Sequence, residues 1–155
     1  METQPTIELN QVDQRLEVTQ SSLSGSKFND VNLAESTFDN VNLAGVRIRN
    51  ANLTGGQIQD AKLPGLEITR ADLSGSKFND VNLAESTFDN VNLSSVKIQD
   101  ANLTGGQIQD AMLSGLQITN ADLRNVAIAD CLFEGMTIEG VLVTELMAVY
   151  RAAKV

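Results

Sequence analysis

The sequence predicts an all-β protein, built as a rod of short stacked strands that turn a corner every five residues. Two observations predict this architecture. Every fifth residue from Val18 to Val143 is Leu, Ile, Val or Phe, which makes 26 consecutive apolar positions. At 42% apolar composition, chance would give that series in a fixed register roughly once in 10^10 trials. In addition, the residue two places before each of these positions is mostly Ser, Ala, Val or Gly.

A period of five fits neither of the regular secondary structures. Side chains repeat every 3.6 residues along a helix and every 2 along a strand, so neither would keep the fifth residues on one face. If the chain turns after every five residues, the central apolar residue and the small residue two before it both point inward. Four sides then close a square coil of 20 residues. The alternation of Leu with Phe or Ile from Leu23 to Leu123 favours four sides over three, because each pair of opposite sides is then lined alike.

A longer repeat contains the period of five. Residues 23–72 and 73–122 align without a gap and are identical at 41 of 50 positions. The stretch LSGSKFNDVNLAESTFDNVNL, for example, occurs at 23–43 and again at 73–93. Duplication this close fits a recent natural event and an engineered one equally well.

The five-residue units resemble those of a known family. Ala51-Asn52-Leu53-Thr54-Gly55 and Ala71-Asp72-Leu73-Ser74-Gly75 are similar to the A(D/N)LXX signature of pentapeptide-repeat proteins, and the resemblance covers about residues 16–143. It implies a right-handed quadrilateral parallel β-helix. The 26 units divided by four give about 6.5 coils, and at ~4.8 Å per coil the rod is expected to be about 31 Å long.

The N-terminal segment, residues 1–15, breaks the register, because Glu8 and Asp13 occupy positions that would be central. A stacked rod exposes its end coils to edge-to-edge association unless something covers them. We therefore expect residues 1–15 to cap the first coil, as an irregular strand that contains Ile7, Leu9 and Val12.

The C-terminal segment, residues 144–155, predicts a short α-helix with Thr144 as its N-cap. Two roles for it remain open: a lid on the last coil, or the interface of a two-fold homodimer. The family resemblance supports the dimer, since members that imitate DNA often pair through their C-terminal ends. The candidate cap or dimer contacts are Leu142, Leu146, Met147, Val149 and Tyr150.

Few residues in the chain suit catalysis or metal binding. There is no His, and the single Cys excludes an intramolecular disulfide and a cysteine-based zinc site. Cys131 is expected to pack inward and to be inert. Gly two places after a central residue is expected at a corner with positive φ, and Asn or Asp before a central Leu is expected to hydrogen-bond nearby backbone or form ladders between coils. We predict no enzyme activity and no cofactor.

The net charge of −9 restricts the class of partner. Direct nucleic-acid binding and docking on an anionic membrane both require a basic face. The N-terminus lacks a basic–apolar signal peptide, and no run of 18 apolar residues occurs. We therefore expect a cytoplasmic protein with a protein partner.

The acidic residues predict a candidate binding edge. Sorted by the 20-residue coil, Asp60, Asp80 and Asp100 stack along one edge, ~4.8 Å apart. Like charges at that spacing repel unless a partner relieves them. The family resemblance implies a DNA mimic that binds a type II topoisomerase, either DNA gyrase or topoisomerase IV. The alternative is a structural or engineered scaffold without a specific partner, whose acidic surface serves solubility.

Overall fold

The period of five produces fifteen short strands and one helix in residues 7–154, the part of the chain that the computed structural model describes. The first six residues of the expected N-terminal cap lie outside these described residues. In chain order the elements are β1 Glu8–Asn10, β2 Glu17–Thr19, β3 Lys27–Asn32, β4 Thr37–Asp39, β5 Arg47–Asn52, β6 Gln57–Lys62, β7 Glu67–Asp72, β8 Lys77–Asn82, β9 Thr87–Asn92, β10 Lys97–Asn102, β11 Gln107–Gln109, β12 Gln117–Asp122, β13 Ala127–Ala129, β14 Thr137–Ile138, β15 Val141–Leu142 and α1 Val143–Ala152.

The strands form two sheets that face each other across the rod. Odd-numbered strands from β1 to β13 make a seven-stranded sheet, and the even-numbered strands with β15 make an eight-stranded one. Most neighbours pair in parallel with an offset of 20 residues, as Phe28 does with Ile48 and Ile58 with Phe78. One coil is therefore 20 residues, and the solenoid has about seven turns. The predicted fold class, a quadrilateral parallel β-helix with a short C-terminal helix, is confirmed.

The corners of the coil are of two kinds, although both place positive φ two residues after the central one. After a central Leu the chain makes a β-turn, in which the Ser26 N–H donates to the Leu23 carbonyl at 3.0 Å and Gly25 has φ 70°. Positive φ at the third residue is the mark of a type II turn and favours Gly. At most corners after a central Phe or Ile the strand runs through the corner, as β3 does through Asp30 at φ 54°, whereas β4, β11 and β13 end at the residue before the corner. The predicted need for positive φ is confirmed, and alternating corner types are a finding of the structure.

The core is a stack of the central residues of the five-residue units. The size of each central side chain is balanced by the size of the residue two positions before it, so that together they fill the interior of the coil. On the two sides of the coil that are lined by Phe and Ile, each Phe has a buried Ser two positions before it. The pairs are Ser26/Phe28, Ser36/Phe38, Ser76/Phe78 and Ser86/Phe88. Most Ile instead follow a larger residue, as in Val46/Ile48, Leu66/Ile68, Val96/Ile98, Leu116/Ile118 and Met136/Ile138. The buried hydroxyls are satisfied, since Ser76 and Ser86 donate to the Leu53 and Leu63 carbonyls at 2.8 and 2.9 Å.

The N-terminal segment adds a partial coil that is one residue short. Leu9 pairs with Phe28 and Asp13 bridges to Asn32, both at an offset of 19 residues. The short offset explains why Glu8 falls on a central position of the five-residue register yet lies exposed, while Leu9 packs against the core. Stacking therefore begins before residue 16, and this partial coil accounts for a solenoid longer than 6.5 turns.

The C-terminal end of the stack is irregular. Parallel pairing in the even-numbered sheet ends at Ile138, and a turn at Glu139 and Gly140 leads into β15, which pairs antiparallel with β14. Helix α1 begins at Val143 with Leu142 in the N-cap position and no side-chain cap. The prediction of Thr144 as N-cap is therefore wrong, because the helix follows β15 directly and Thr144 lies in its first turn. No helix within residues 7–154 has the length and apolar character needed to cross a membrane.

Candidate functional site

The three residues of the predicted acidic edge, Asp60, Asp80 and Asp100, occupy equivalent corners of three successive coils. Their φ angles are 49°, 52° and 51°, in the left-handed region. The strands that carry them, β6, β8 and β10, pair directly, so the corners follow one another at one inter-strand spacing, ~4.8 Å. The structure thus brings the three residues together on one edge of the rod.

Backbone conformation explains part of the residue choice at these corners. Asn and Asp tolerate the left-handed region better than other side chains with a Cβ. Asn40 and Asn120, on the coils directly before and after these three, adopt φ 51° and 49°. Either residue type satisfies the corner, so Asp at the three middle positions adds charge without a backbone requirement for it.

The length of the duplicated unit contributes to the row of Asp residues on this edge. Fifty residues are two and a half coils, so the second copy is rotated by half a turn about the rod axis and shifted by about 12 Å. This rotation places Asp80, the counterpart of Asp30, directly after Asp60 of the first copy, and Asp100 continues the row because it replaces the Asn50 of the first copy. The opposite edge mixes signs and neutral amides along its length, because it carries Asp30, Asn50, Arg70, Asn90, Asp110 and Asp130.

The acidic edge is exposed, and one cationic side chain, Lys62, lines the same groove. Asp60 and Asp80 are exposed and Asp100 is half-buried. Within residues 7–154 none of the three takes part in a salt bridge. Asp100 accepts hydrogen bonds from Asn120 and, at 3.1 Å, from Gln99, which leaves its charge in place. These carboxylates are available to cationic groups of a partner.

An open groove runs along the acidic edge. Its floor is formed by Ala61 and Val81, and its rim by Asp60, Lys62, Asp80, Asn82, Asp100 and Asn102. On the same sheet Lys77 and Lys97 lie side by side in register, so the charge changes sign a few residues away from the Asp corners. The groove carries one carboxylate on each of three successive coils.

Asn and Asp before a central Leu cap the following turn, as predicted. Asn52 accepts from the Thr54 N–H at 3.0 Å and Asn102 from the Thr104 N–H at 3.0 Å. Asp122 does the same for Arg124, and the Arg124 guanidinium also donates to its carboxylate at 2.9 Å. These hydrogen bonds lower the pKa of Asp122 to about 2. The interaction of ionised Asp122 with Arg124 stabilises the folded state above the ordinary pKa of a carboxyl group. This stabilisation is lost as the pH falls toward about 2 and Asp122 becomes protonated.

The C-terminal end exposes the other group of candidate residues. Leu146, Val149 and Tyr150 are 48%, 71% and 60% exposed, whereas Leu142 and Met147 are half-buried. No residue of α1 is fully buried, and the helix lies against β15. A lid over the last coil would bury its apolar face, so α1 leaves much apolar surface open to a partner.

Two further apolar residues at this end were missed by the sequence reasoning. Met112 is 45% exposed and Ile128 is 41% exposed, and Met112 bridges to Leu132, which is 67% exposed. A signal for Met112 was present, because it stands where Asn32, Asn52, Asp72 and Asn92 stand in earlier coils. Ile128 is exposed because β13 is the last strand of its sheet.

The chemical groups associated with catalysis do not converge in the described residues. Within residues 7–154 no three His, Cys, Asp or Glu side chains lie close enough together to hold a metal ion. Cys131 packs against the core but is half-buried, because the coil that would cover it is absent from the end of the stack. Its thiol donates to the Ala129 carbonyl at 3.0 Å.

Comparison with known proteins identifies similar chains. Rfr23, a pentapeptide repeat protein from the cyanobacterium Cyanothece 51142, is 15% identical over 86% of this chain and 88% of its own, with a TM-score of 0.45. HetL from Nostoc sp. strain PCC 7120 is 15% identical over 84% and 91%, with a TM-score of 0.30. A trypsin-treated form of QnrB1, a plasmid-mediated fluoroquinolone resistance protein, is 13% identical over 97% and 98%, with a TM-score of 0.34.

The family is shown by a match at the level of sequence. No curated protein matches the chain. The family model described as a pentapeptide repeat region matches residues 14–88. The second copy of the 50-residue unit continues the same five-residue register and the same coils to residue 122. The chain belongs to the pentapeptide-repeat family.

Proposed function

We propose that this protein is a non-enzymatic scaffold that binds a protein partner through its acidic edge. The observation that carries the proposal is the alignment of Asp60, Asp80 and Asp100 on consecutive coils without a salt bridge among the described residues. The pentapeptide-repeat family consists in general of non-enzymatic scaffolds.

The partner in this proposal is a type II topoisomerase, DNA gyrase or topoisomerase IV. Some pentapeptide-repeat proteins imitate DNA in shape and charge and occupy the DNA-binding surface of these enzymes. A narrow rod with net charge −9 and a row of carboxylates fits a protein surface that evolved to hold phosphates. The proposal places the protein in the cytoplasm, where these enzymes act.

Inhibition of gyrase supercoiling by the purified protein, measured at two salt concentrations beside direct binding to gyrase, tests the function. We expect inhibition at micromolar concentration or below, and weaker binding at the higher salt, because attraction between exposed charges is screened. Absence of both binding and inhibition would contradict the topoisomerase partner. The chain would then fit the second candidate, a structural scaffold, which the corner preference for Asn and Asp supports.

We also propose that the protein is a homodimer joined through its C-terminal end. Seven of the eight exposed large hydrophobic residues in the described chain lie in residues 112–150, and Leu146, Val149 and Tyr150 share one face of α1. Exposed apolar patches of this kind mark interaction sites on soluble proteins.

Sedimentation velocity on a charge-bearing helix variant tests the dimer. Leu146→Glu with Val149→Glu is expected to convert a dimer into a folded monomer, because it places two carboxylates in an apolar interface. Ala148→Glu with Ala152→Glu changes the charge equally on the opposite, exposed face of α1 and should leave the dimer intact. A wild-type chain that sediments as a monomer at tens of micromolar would contradict the proposal.

A further inference from the structure

The volume compensation in the core fails at two positions. Ile58 has Gly56 two positions before it, and Ile108 has Gly106. In both cases a side chain smaller than Phe is combined with a residue that has no side chain. The environments of the two glycines differ along the rod axis. Gly56 stands between Ser36 and Ser76, whereas Gly106 stands between Ser86 and Val126, whose side chain fills space at that level.

A core cavity of about 30 Å³ accompanies the first of these positions. It extends along the interior from Phe28 to Phe78 and includes Gly56 and Ile58 in its lining. The lining is otherwise mostly Leu, Ile, Val and Phe side chains that are at most 8% exposed, apart from the half-buried Ile48. The two small residues of the lining, Ser36 and Gly56, stand on successive coils, and the stack is incompletely filled beside them.

The cavity does not suit water. A buried water needs two to four polar partners, and Ser36 supplies the hydroxyl in the lining. That hydroxyl already accepts a hydrogen bond from the Leu16 N–H at 2.8 Å. No buried polar side-chain atom among the described residues lacks a hydrogen-bond partner. Apolar cavities of this type stay dry and admit small apolar guests.

We propose that this cavity binds one small apolar guest, an atom or a molecule of very few heavy atoms, for which xenon is the probe. Roughly 10–15 Å³ is enough for one water-sized sphere, so the cavity has room for a larger single atom. Dispersion contacts with the surrounding methyl and phenyl groups provide the attraction. The site is independent of the acidic edge and of the C-terminal end.

Methyl ¹³C spectra of the full chain under increasing xenon pressure test the proposal. Saturable shifts are expected at the methyl groups of Ile58 and Leu53. Ile58→Phe should abolish the shift at Leu53, because a Phe after Gly56 continues the series of Phe38 and Phe78 and fills the space. Ile108→Phe, the same change in the second copy, should leave the shifts at Ile58 and Leu53 unchanged.

A second filling variant keeps the test decisive if Ile58→Phe does not fold. Ser76→Val copies the Ser–Gly–Val series that Ser86, Gly106 and Val126 form in the second copy, and it should also abolish the xenon shifts. Absence of saturable shifts in the wild-type chain would overturn the proposal. Unchanged shifts in a folded filling variant would overturn it as well, because xenon would then occupy another place.

Discussion

Replacing Leu83 with lysine is expected to prevent the chain from folding. Leu83 is 1% exposed and lies in the column of central residues between Leu63 and Leu103, which are 2% and 3% exposed. Deleting such a side chain alone costs about 2–5 kcal/mol, and burying an unpaired ammonium adds several more. The total approaches the ~5–15 kcal/mol by which ordinary domains are stable. Far-UV circular dichroism with a urea titration would show the loss of the cooperative transition.

The same substitution at a corner provides the control. Asp80→Lys places the identical side chain three residues earlier, at an exposed position with φ 52°. Arg70 already occupies a corner of the opposite edge at φ 52°, so a long basic side chain is compatible with that backbone. Asp80→Lys should therefore unfold at nearly the wild-type urea concentration. A cooperative transition in Leu83→Lys would show that the inward register is wrong.

Converting Asp60, Asp80 and Asp100 together to Asn is expected to weaken gyrase binding by about threefold to a hundredfold. Exposed ion pairs contribute about 0.2–1 kcal/mol each, and 1.4 kcal/mol is about one factor of ten in affinity. Asn keeps the corner conformation, as Asn40 and Asn120 show, so the variant removes charge without strain. Titration calorimetry or surface plasmon resonance measures the affinity, and a urea titration verifies that the fold is unchanged.

A charge-matched variant separates the edge from the overall charge. Asp30, Asp110 and Asp130 occupy the corresponding corners of the opposite edge, at φ 54°, 49° and 53°. Their joint conversion to Asn changes the net charge by the same three units. Affinity for gyrase should fall far more when the acidic edge is converted to Asn than when these three residues of the opposite edge are converted. Equal losses would indicate that net charge, and not the acidic edge, attracts the enzyme.

Sequence reasoning reached the interior of this fold because inward positions allow few alternatives. A residue between two coils must be apolar and must match its neighbours in volume, so Leu83 and its column repeat with a period that has no competing explanation. The ends obey weaker constraints. Leu9 joins the stack with an offset of 19, and one missing residue is enough to conceal it from a search in steps of five. Thr144 suits an N-cap by residue type, but α1 follows β15 directly, and its N-cap is Leu142, two residues earlier.

The candidate site was only partly predictable, for a physical reason that concerns the corners. The sequence placed Asp60, Asp80 and Asp100 on one edge, but it gave no reason why Asp or Asn should stand there. The positive φ angles provide that reason. They favour Asn and Asp alike, so the backbone explains the residue type, whereas only the choice of Asp over Asn gives the charge that a partner would use. Met112 was missed because one apolar residue among polar ones is conspicuous only after the coils are aligned.

The half-turn between the two copies has a consequence for how such a rod can lengthen. A unit of 50 residues is a multiple of ten, so copying it preserves the alternation of Leu with Phe or Ile inside, and the new coils pack on the old ones without penalty. Outside, each copy exchanges the two faces, since it is not a multiple of the 20-residue coil. Growth by this unit therefore keeps the same packing in the core, while it brings surface residues of one copy into line with residues from the opposite face of the other. An odd number of insertions turns the C-terminal end to the other side of the rod, and an even number restores it.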